Sequence, residues 1–592
     1  MKTSIEKKCR RARAIRTAVA CVLAWAASAR ATAQPPDARL FYSRGLTALH
    51  LFEYEDANEA FREAQRLDPG FAMAYWGEAM TYNQTLWRKE DIAAGRRALA
   101  RLGQSPAARA SKAGTAKEKA LIAAVEILFG DGDPATRHRR YAEAMARAYA
   151  QAADDPDVAS FYALALVGTM SRSLIGHDDA HEGRTKGLAG SEVQQHVSEI
   201  LSTVLKSHPG HPGALHYLLH NYDDPAHASL GLAAARRLAA GDDIARGSSH
   251  AVHMPSHIFL QLGMWRDAAA SDRAAFDASN AWIARKRLGP EARNYHALGW
   301  LEYELLQRGR YRDARDAIGE LEPVVKATGL VPLLSDLASM RARYAIETRR
   351  WDFMGRERNF ANVDDLFAIG VSAARLRDWD LAERARQGLA TRAQSEQEGD
   401  LRPAIAIMER EVAGLIELGA GRIGAAVEIL QAATRAELEL PPPLGLPEPV
   451  KPAPELLGEV LLEAGRPREA IEPFEHALRR NPNRSLSVLG LARARAALGE
   501  TDASRARYRQ LLANYEEADS DLPELDEARR AVDERPAMQP PPEPKWGLRV
   551  GVIIGIGVVA LVAIAFALQR RQPRTKKKNP KEAKAAKKGS YK

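Results

Sequence analysis

Hydrophobic residues recur along most of the chain at spacings of three and four, and Gly or Pro interrupts the pattern at intervals. This periodicity predicts amphipathic helices joined by turns, because residues three and four apart lie on one helical face. Strict alternation of apolar and polar residues, which indicates β-strands, does not occur over any long stretch. The pattern therefore predicts an all-α protein.

Small and aromatic positions within these helices show a second regularity. Two segments, 57–69 and 470–482, share the order Ala, Phe, Ala and Pro at successive steps of 4, 3 and 5 residues. The positions are Ala57, Phe61, Ala64 and Pro69 in the first copy and Ala470, Phe474, Ala477 and Pro482 in the second. Degraded copies begin at Gly263, Gly309, Arg377, Gly421 and Gly499. The chain is therefore expected to contain a repeated helical unit.

This spacing resembles the tetratricopeptide repeat (TPR), a pair of antiparallel helices in which small residues allow close approach. The resemblance implies a TPR-type helical-hairpin solenoid over residues 38–435, with His-rich repeats at 208–310 and further repeats at 456–530. Stacked repeats of this kind form a superhelix whose first helices line a concave, partner-binding groove. The blocks 250–259 and 447–459 also resemble the HAxHMPSHIF and PEPVKPxxELLGE blocks of exported bacterial TPR proteins, which implies no particular activity.

The two ends of the chain have membrane-targeting features. Residues 1–33 combine a basic start, a short apolar stretch and Ala-Thr-Ala before Gln34, as in a secretory signal peptide. Residues 550–569 carry no charge, and the segment 547–569 is long enough to cross a bilayer core of about 30 Å as one helix. The Lys-rich tail, 570–592, is predicted to stay cytoplasmic. The body is then expected in the periplasm, anchored to a bacterial inner membrane by a single span.

Two proline-rich stretches complete the predicted layout. Residues 440–455 are expected to be an extended linker that separates the last repeats from the others. Residues 531–546 are expected to form a semi-rigid stalk between the body and the membrane.

The net charge of +9 is carried by the ends of the chain. Residues 1–33 have a charge of +7 and residues 547–592 a charge of +11, which leaves −9 for residues 34–546. An acidic body lacks the basic surface that phosphate contacts need. A nucleic-acid partner is therefore not expected, whereas a protein or peptide partner in the cell envelope is.

Eleven of the fifteen histidines lie between residues 177 and 257. Histidine is the commonest metal ligand and titrates near neutral pH. The only two cysteines, Cys9 and Cys21, lie within the predicted signal peptide. A metal site in the mature chain would therefore consist of histidines and carboxylates.

The repeat register places several histidines on neighbouring helices. With Gly263 as the fifteenth residue of its repeat, His250, His253 and His257 become the second, fifth and ninth residues of the first helix. Steps of three and four put these three side chains on one face. The resemblance implies that this face lines the groove. His296 falls second in the next repeat, and the preceding repeat contains His216 and His220 four residues apart.

Pro255 leaves this placement open. Proline inside a helix costs about 3 kcal/mol but is well tolerated at the first helical position. A helix that began at Pro255 would leave His250 and His253 in a loop and keep only His257 on the helix.

Three interpretations of the histidines remain. They could be core residues that are hydrogen-bonded between helices. They could belong to a groove that holds a peptide, with candidate contacts Tyr42, Trp76, Asn83, Tyr217, His257 and His296. They could also bind Zn or Cu, since HYLLH and HMPSH provide chelating pairs, with candidate ligands His216, His220, His250, His253 and His257.

Catalysis has little support in the sequence. A zinc peptidase of the HExxH type needs Glu after the first histidine, but Tyr217 and Met254 occupy those positions. The predicted function is therefore a binding scaffold, with a metal-binding protein or metal-dependent hydrolase as the alternative.

Overall fold

The computed structural model describes residues 37–169, 192–241, 246–354, 362–395 and 401–533. These ranges contain 25 α-helices. A short antiparallel sheet pairs β1 (Asn83–Gln84) with β2 (Lys89–Glu90), and 3-10 turns occupy Pro290–Ala292 and Trp351–Phe353. The prediction of an all-α helical solenoid is confirmed for the described part of the chain, with the small sheet as an exception.

The helices follow one another in antiparallel pairs along the chain. The first group is α1 (Ala38–His50), α2 (Tyr54–Leu67), α3 (Ala72–Met80), α4 (Ile92–Leu102), α5 (Pro106–Ala110), α6 (Ala116–Leu128), α7 (Pro134–Gln151), α8 (Pro156–Val167) and α9 (Glu192–Ser207). The middle group is α10 (Pro212–Asn221), α11 (Ala228–Ala239), α12 (Ser249–Gln261), α13 (Trp265–Lys286), α14 (Tyr295–Gln307), α15 (Tyr311–Thr328) and α16 (Val331–Thr348). The last group is α17 (Val363–Leu376), α18 (Trp379–Ser395), α19 (Leu401–Gly419), α20 (Ile423–Glu439), α21 (Ala453–Glu463), α22 (Pro467–Arg480), α23 (Ser485–Ala497), α24 (Thr501–Asn514) and α25 (Pro523–Asp533).

The two clean sequence copies have the same packing. Phe61 of α2 is fully buried against glycines of α1 and α3, where a Cβ at Gly45 would lie 2.8 Å from the ring. Phe474 of α22 is likewise buried against α21 and α23, and a Cβ at Gly458 would lie 2.8 Å from its ring. Glycine on the neighbouring helices makes room for the aromatic ring, which explains why the pattern repeats.

The C-terminal repeats pack back onto the turns of the His-rich repeats. The Asn483 side chain donates to the carbonyl of Gly263 at 2.8 Å, and the Trp265 indole donates to the Asn483 carbonyl at 2.9 Å. The backbone of Asp519 donates to the Gly309 carbonyl at 3.0 Å. These contacts join segments that are more than 200 residues apart in sequence, so the last repeats are part of the same packed unit.

The structure differs from the predicted linker at 440–455. Helix α21 already begins at Ala453, and the residues before it, called here the proline-rich segment (440–452), are packed against α12 and α14. Gln261 donates to the Pro443 carbonyl at 3.1 Å, and Leu446 packs in a cluster that contains Trp300. These side-chain contacts hold the segment in place, which proline content alone does not indicate.

The predicted signal peptide (1–33), membrane helix (547–569) and basic tail (570–592) lie outside the described residues, as does all but the start of the predicted stalk. That start, residues 531–533, is the end of α25. Among the described residues, no helix combines the length and the apolar character needed to span a membrane.

Candidate functional site: two histidine clusters

Helix α12 carries three histidines and begins well before Pro255. Its first residue is Ser249, and the preceding Ser248 caps it by accepting a hydrogen bond from Ala251 N at 3.0 Å. Pro255 therefore lies inside the helix, where it supplies no N–H to the backbone ladder. The cap and the burial of residues 251–261 maintain the helix across this position. His250, His253 and His257 thus all belong to α12.

The histidines occupy equivalent positions in α10, α12 and α14, the first helices of successive repeats. His216 and His220 are the fifth and ninth residues of α10, as His253 and His257 are of α12. His250 is the second residue of α12, and His296 is the second residue of α14. Each pair therefore meets a third histidine from the first helix of the next repeat, and the result is two clusters rather than one.

The first of these, the His253 cluster, consists of His253, His257 and His296. One nitrogen from each ring lies within 4.8 Å of the others. His253 and His257 are buried, whereas His296 is exposed. The Trp300 ring covers the cluster, with its centroid 4.3 Å from that of His257. The cluster is thus enclosed on one side and reachable from the other.

Two buried aspartates orient the paired rings. His253 Nδ1 donates to Asp272 of α13, and His257 Nδ1 donates to Asp223 at 2.7 Å. A carboxylate can only accept from these nitrogens, so the Nδ1 protons are fixed. The remaining nitrogens, Nε2 of His253 and Nε2 of His257, face each other at 2.9 Å. In these tautomers both Nε2 atoms are acceptors, so their two lone pairs point toward a common position that suits a shared cation.

The surrounding carboxyl groups are in a setting of low polarity. Burial raises the pKa of Asp223, and the charge and hydrogen bond of His257 act in the opposite direction. Burial also raises the pKa of Glu304 well above its usual value, and the neighbouring charge of Asp272 adds to this. This setting favours the neutral form of Glu304, which can donate a hydrogen bond to Asp272.

The second cluster, the His216 cluster, consists of His216, His220 and His250, again with one nitrogen per ring within 4.8 Å of the others. His216 Nδ1 donates to the backbone carbonyl of His50 at 2.7 Å, which leaves its Nε2 as an acceptor. His220 Nε2 lies 3.0 Å from that atom. Burial lowers the pKa of His216 to about 4, so its ring is neutral at pH 7.

A third group of imidazoles is structural. His50 Nε2 and His211 Nε2 both bond to one oxygen of Asp157, at 2.8 and 3.1 Å. Their Nδ1 atoms accept from the Tyr217 hydroxyl and from Ala214 N, respectively. Although burial acts to raise it, the hydrogen bonds from His211 and His50 hold the pKa of Asp157 below its usual value. Each ring nitrogen already has a partner, so this group joins α1, α8 and α10.

The other predicted groove contacts lie in the packed interior. Trp76 is 1% exposed, with its ring 5.3 Å from Phe161, and Tyr217 is also 1% exposed. Asn83 is buried in β1, where its amide donates to the Thr85 hydroxyl at 3.0 Å. Tyr42 is half-buried against Phe61 and Phe71. The structure therefore places Trp76, Asn83 and Tyr217 in the packed interior and brings His257 and His296 together in the His253 cluster.

Sequence reasoning missed two contributors, Asp272 and Trp300. A signal for Asp272 was available, since it lies between Ala268 and Ala275 on the buried stripe of α13, where a carboxylate needs a partner. Trp300 carries no such signal, because only the packing of α14 against α12 brings its ring over His257.

The antiparallel helix pairs, with glycines beside a buried phenylalanine, define a helical-hairpin repeat protein. Models of the family described as tetratricopeptide repeat match residues 38–71 and 461–522. These two segments contain the two clean copies of the spacing and carry tetratricopeptide repeats, as the sequence predicted. Repeats of this type generally mediate protein–protein interactions.

Comparisons beyond the family models gave distant similarities. No curated protein matches the chain. A tetratricopeptide repeat protein from Parabacteroides merdae is 11% identical, with a TM-score of 0.28, over 48% of this chain and 97% of that one. The human IFIT1 dimer with m7Gppp-AAAA is 12% identical, with a TM-score of 0.32, over 80% of this chain and 90% of that one. Yeast Tom70 is 12% identical, with a TM-score of 0.27, over 79% of this chain and 90% of that one.

Proposed function

We propose that this tetratricopeptide-repeat protein binds one divalent transition-metal ion, Zn or Cu, at the His253 cluster. The observation that carries the proposal is the 2.9 Å contact between Nε2 of His253 and Nε2 of His257, with both Nδ1 atoms donating to aspartates. Histidines that ligate metals commonly donate their second ring N–H to a carboxylate, which fixes the tautomer and strengthens the ligand.

The dimensions and charges of the cluster suit such an ion. Two imidazole nitrogens at Zn–N distances of about 2.0–2.1 Å in a tetrahedral site are roughly 3.3 Å apart. The 2.9 Å pair needs to open by only a few tenths of an ångström. Asp223 and Asp272 together offer the charge that balances a divalent ion. His296 supplies the third ligand from the exposed side, where a water molecule or partner group can complete the coordination.

The cellular location that we propose is the envelope of a bacterium. The features of residues 1–33 and 547–569 support export of the body and anchoring by one membrane span. We also propose a protein or peptide partner in the envelope, because tetratricopeptide repeats generally mediate protein–protein interactions. Alkaline phosphatase fused after Lys545 should be active, and the same enzyme fused after Lys592 should be inactive. The opposite pair of activities would refute this topology.

Metal binding can be tested on the full-length protein in a mild detergent. Calorimetric titration with Zn²⁺ should show stoichiometric binding that is lost in His257→Ala. His196→Ala is the matched control, because that imidazole is exposed on α9 and belongs to neither cluster. Full binding by His257→Ala, or no binding by the natural sequence, would refute the proposal.

A further inference from the structure

We infer that the chain binds a second, separate divalent ion at the His216 cluster, so that helix α12 contributes ligands to two metal sites. The observation behind this inference is the repeated register. Each cluster combines the fifth and ninth residues of one helix with the second residue of the next repeat's first helix. The inference goes beyond the proposed site and does not depend on it.

The ligand geometry of the second site parallels the first. The bond from His216 Nδ1 to the His50 carbonyl fixes the ring and directs Nε2 away from that carbonyl. A backbone carbonyl can orient a ligating imidazole as a carboxylate does. His220 Nε2 is 3.0 Å from His216 Nε2, so this pair also needs only a small opening to reach the separation of about 3.3 Å in a zinc site. His250 completes a three-histidine set.

Aromatic rings surround this second set. The Phe52 ring lies 4.4 Å from that of His216 and 5.6 Å from that of His250, and the Trp87 ring lies 5.2 Å from that of His250. Phe52 has a φ of 60°, the left-handed region that a bulky residue rarely adopts. Strain of this kind persists only where the surroundings enforce it. The strained turn places Phe52 over the imidazoles and restricts water there.

Occupation of both sites would tie three successive repeats together. His250 would connect α12 to α10 through the ion at the His216 cluster, while His253 and His257 would connect α12 to α14 through the ion at the His253 cluster. Ions that bind the folded chain alone stabilise it by an amount that grows with the logarithm of their concentration over the dissociation constant. The pair of ions would then act as a clamp on the solenoid and should raise its unfolding midpoint.

The stoichiometry of the full-length protein tests this directly. Elemental analysis after Zn²⁺ loading and gel filtration should give two ions per chain. One ion should remain in His220→Ala, one in His257→Ala and none in the double variant. His250→Ala is the second variant for the new site, because this half-buried residue in the first turn of α12 is less needed for folding. Circular dichroism should show an unchanged helix content.

Two tryptophans report on the sites separately. Cu²⁺ quenches nearby indole fluorescence, and Trp87 lies beside His250 whereas Trp300 lies beside His257. Trp87→Phe should remove the quenching that is lost in His250→Ala, and Trp300→Phe should remove the quenching that is lost in His257→Ala.

The outcomes separate the two claims. One ion in the natural chain, lost in His257→Ala and kept in His250→Ala, overturns the second site and leaves the first. The short His216–His220 contact would then be an N–H···N hydrogen bond only. One ion that is lost in His250→Ala alone supports the second site and overturns the first. No bound ion overturns both.

Discussion

Gly213 packs directly against the imidazole of His50, and a Cβ at position 213 would overlap Nδ1 of that ring. The contact brings the end of α1 onto α10. It also positions the His50 carbonyl that accepts from His216 Nδ1 at 2.7 Å, across 166 residues of sequence. The first repeat therefore fixes the tautomer of a histidine in the His216 cluster.

Gly213→Ala should destabilise the fold and weaken the second metal site. Overpacking of a close contact typically costs about 1–3 kcal/mol. The urea midpoint of the apoprotein should fall, and Zn²⁺ binding at the His216 cluster should weaken more than binding at the His253 cluster. Gly210→Ala is the control, since position 210 is exposed and its nearest neighbour atom, in Arg237, would lie 3.9 Å from a Cβ. Equal losses in the two variants would contradict the prediction.

Asp272→Asn should weaken metal binding at the His253 cluster without unfolding the protein. The amide oxygen can still accept from His253 Nδ1, but the substitution removes the negative charge that strengthens the His253 imidazole as a metal ligand. Loss of such an outer partner typically costs 10- to 100-fold in metal affinity. The check is a competitive Zn²⁺ titration. Asp267→Asn, on the exposed face of the same helix, should bind as the natural chain does. Unchanged affinity in Asp272→Asn would argue against an orienting role.

Asp157 should make stability depend on acid pH. Hydrogen bonds from His211 and His50 hold the pKa of Asp157 low in the folded state. Its contribution is therefore fully present above the unfolded-state pKa of about 3.9 and is lost as pH falls through and below that value. Asp157→Asn should be less stable than the natural chain at pH 7, and the difference should shrink at pH 3.

Urea unfolding at the two pH values measures that difference. Asp131→Asn is the control, because the Asp131 side chain is 99% exposed. If the difference in unfolding free energy between Asp157→Asn and the natural chain stays constant between pH 7 and pH 3, the hydrogen bonds do not depend on the ionised carboxylate.

The local helical pattern was predictable because it depends on spacing alone. Ala57, Phe61 and Ala64 pack as their positions indicate, and the second-position histidines, His250 and His296, follow from the repeat register. Pro255 was ambiguous, since the local cost of proline is outweighed here by the Ser248 cap and by tertiary burial.

Contacts between distant segments could not be predicted from the sequence patterns. Asp272 lies 19 residues from His253 and Asp223 lies 34 residues from His257, and no spacing rule pairs them. The proline-rich segment has the composition of a linker, yet tertiary contacts bury residues 447 and 449–452. Helical spacing alone also places His250 on one face with His253, but in the structure the two residues belong to different clusters.

Arg484 is the centre of a buried ion network that explains the conspicuous block at 447–459. Its side chain is 0% exposed and pairs with Glu347 at 2.5 Å and with Glu455 at 2.8 Å. Lys451 also pairs with Glu455, at 2.7 Å. Residues of the block thus join α21 to α23 and α16 in the interior, which is a structural role.

Arg484→Met should therefore be strongly destabilising. The change leaves the buried Glu347 without its cation and Glu455 with Lys451 alone, and breaking a buried pair from one side costs about 3–5 kcal/mol. Arg493→Met, on the helix α23 that Arg484 immediately precedes, is the matched control. Arg493 pairs with Glu527 at 2.6 Å, but the two side chains are 36% and 29% exposed, so its removal should cost about 1 kcal/mol or less. Guanidinium chloride unfolding of both variants gives the comparison, and similar small losses would show that the buried network contributes little to stability.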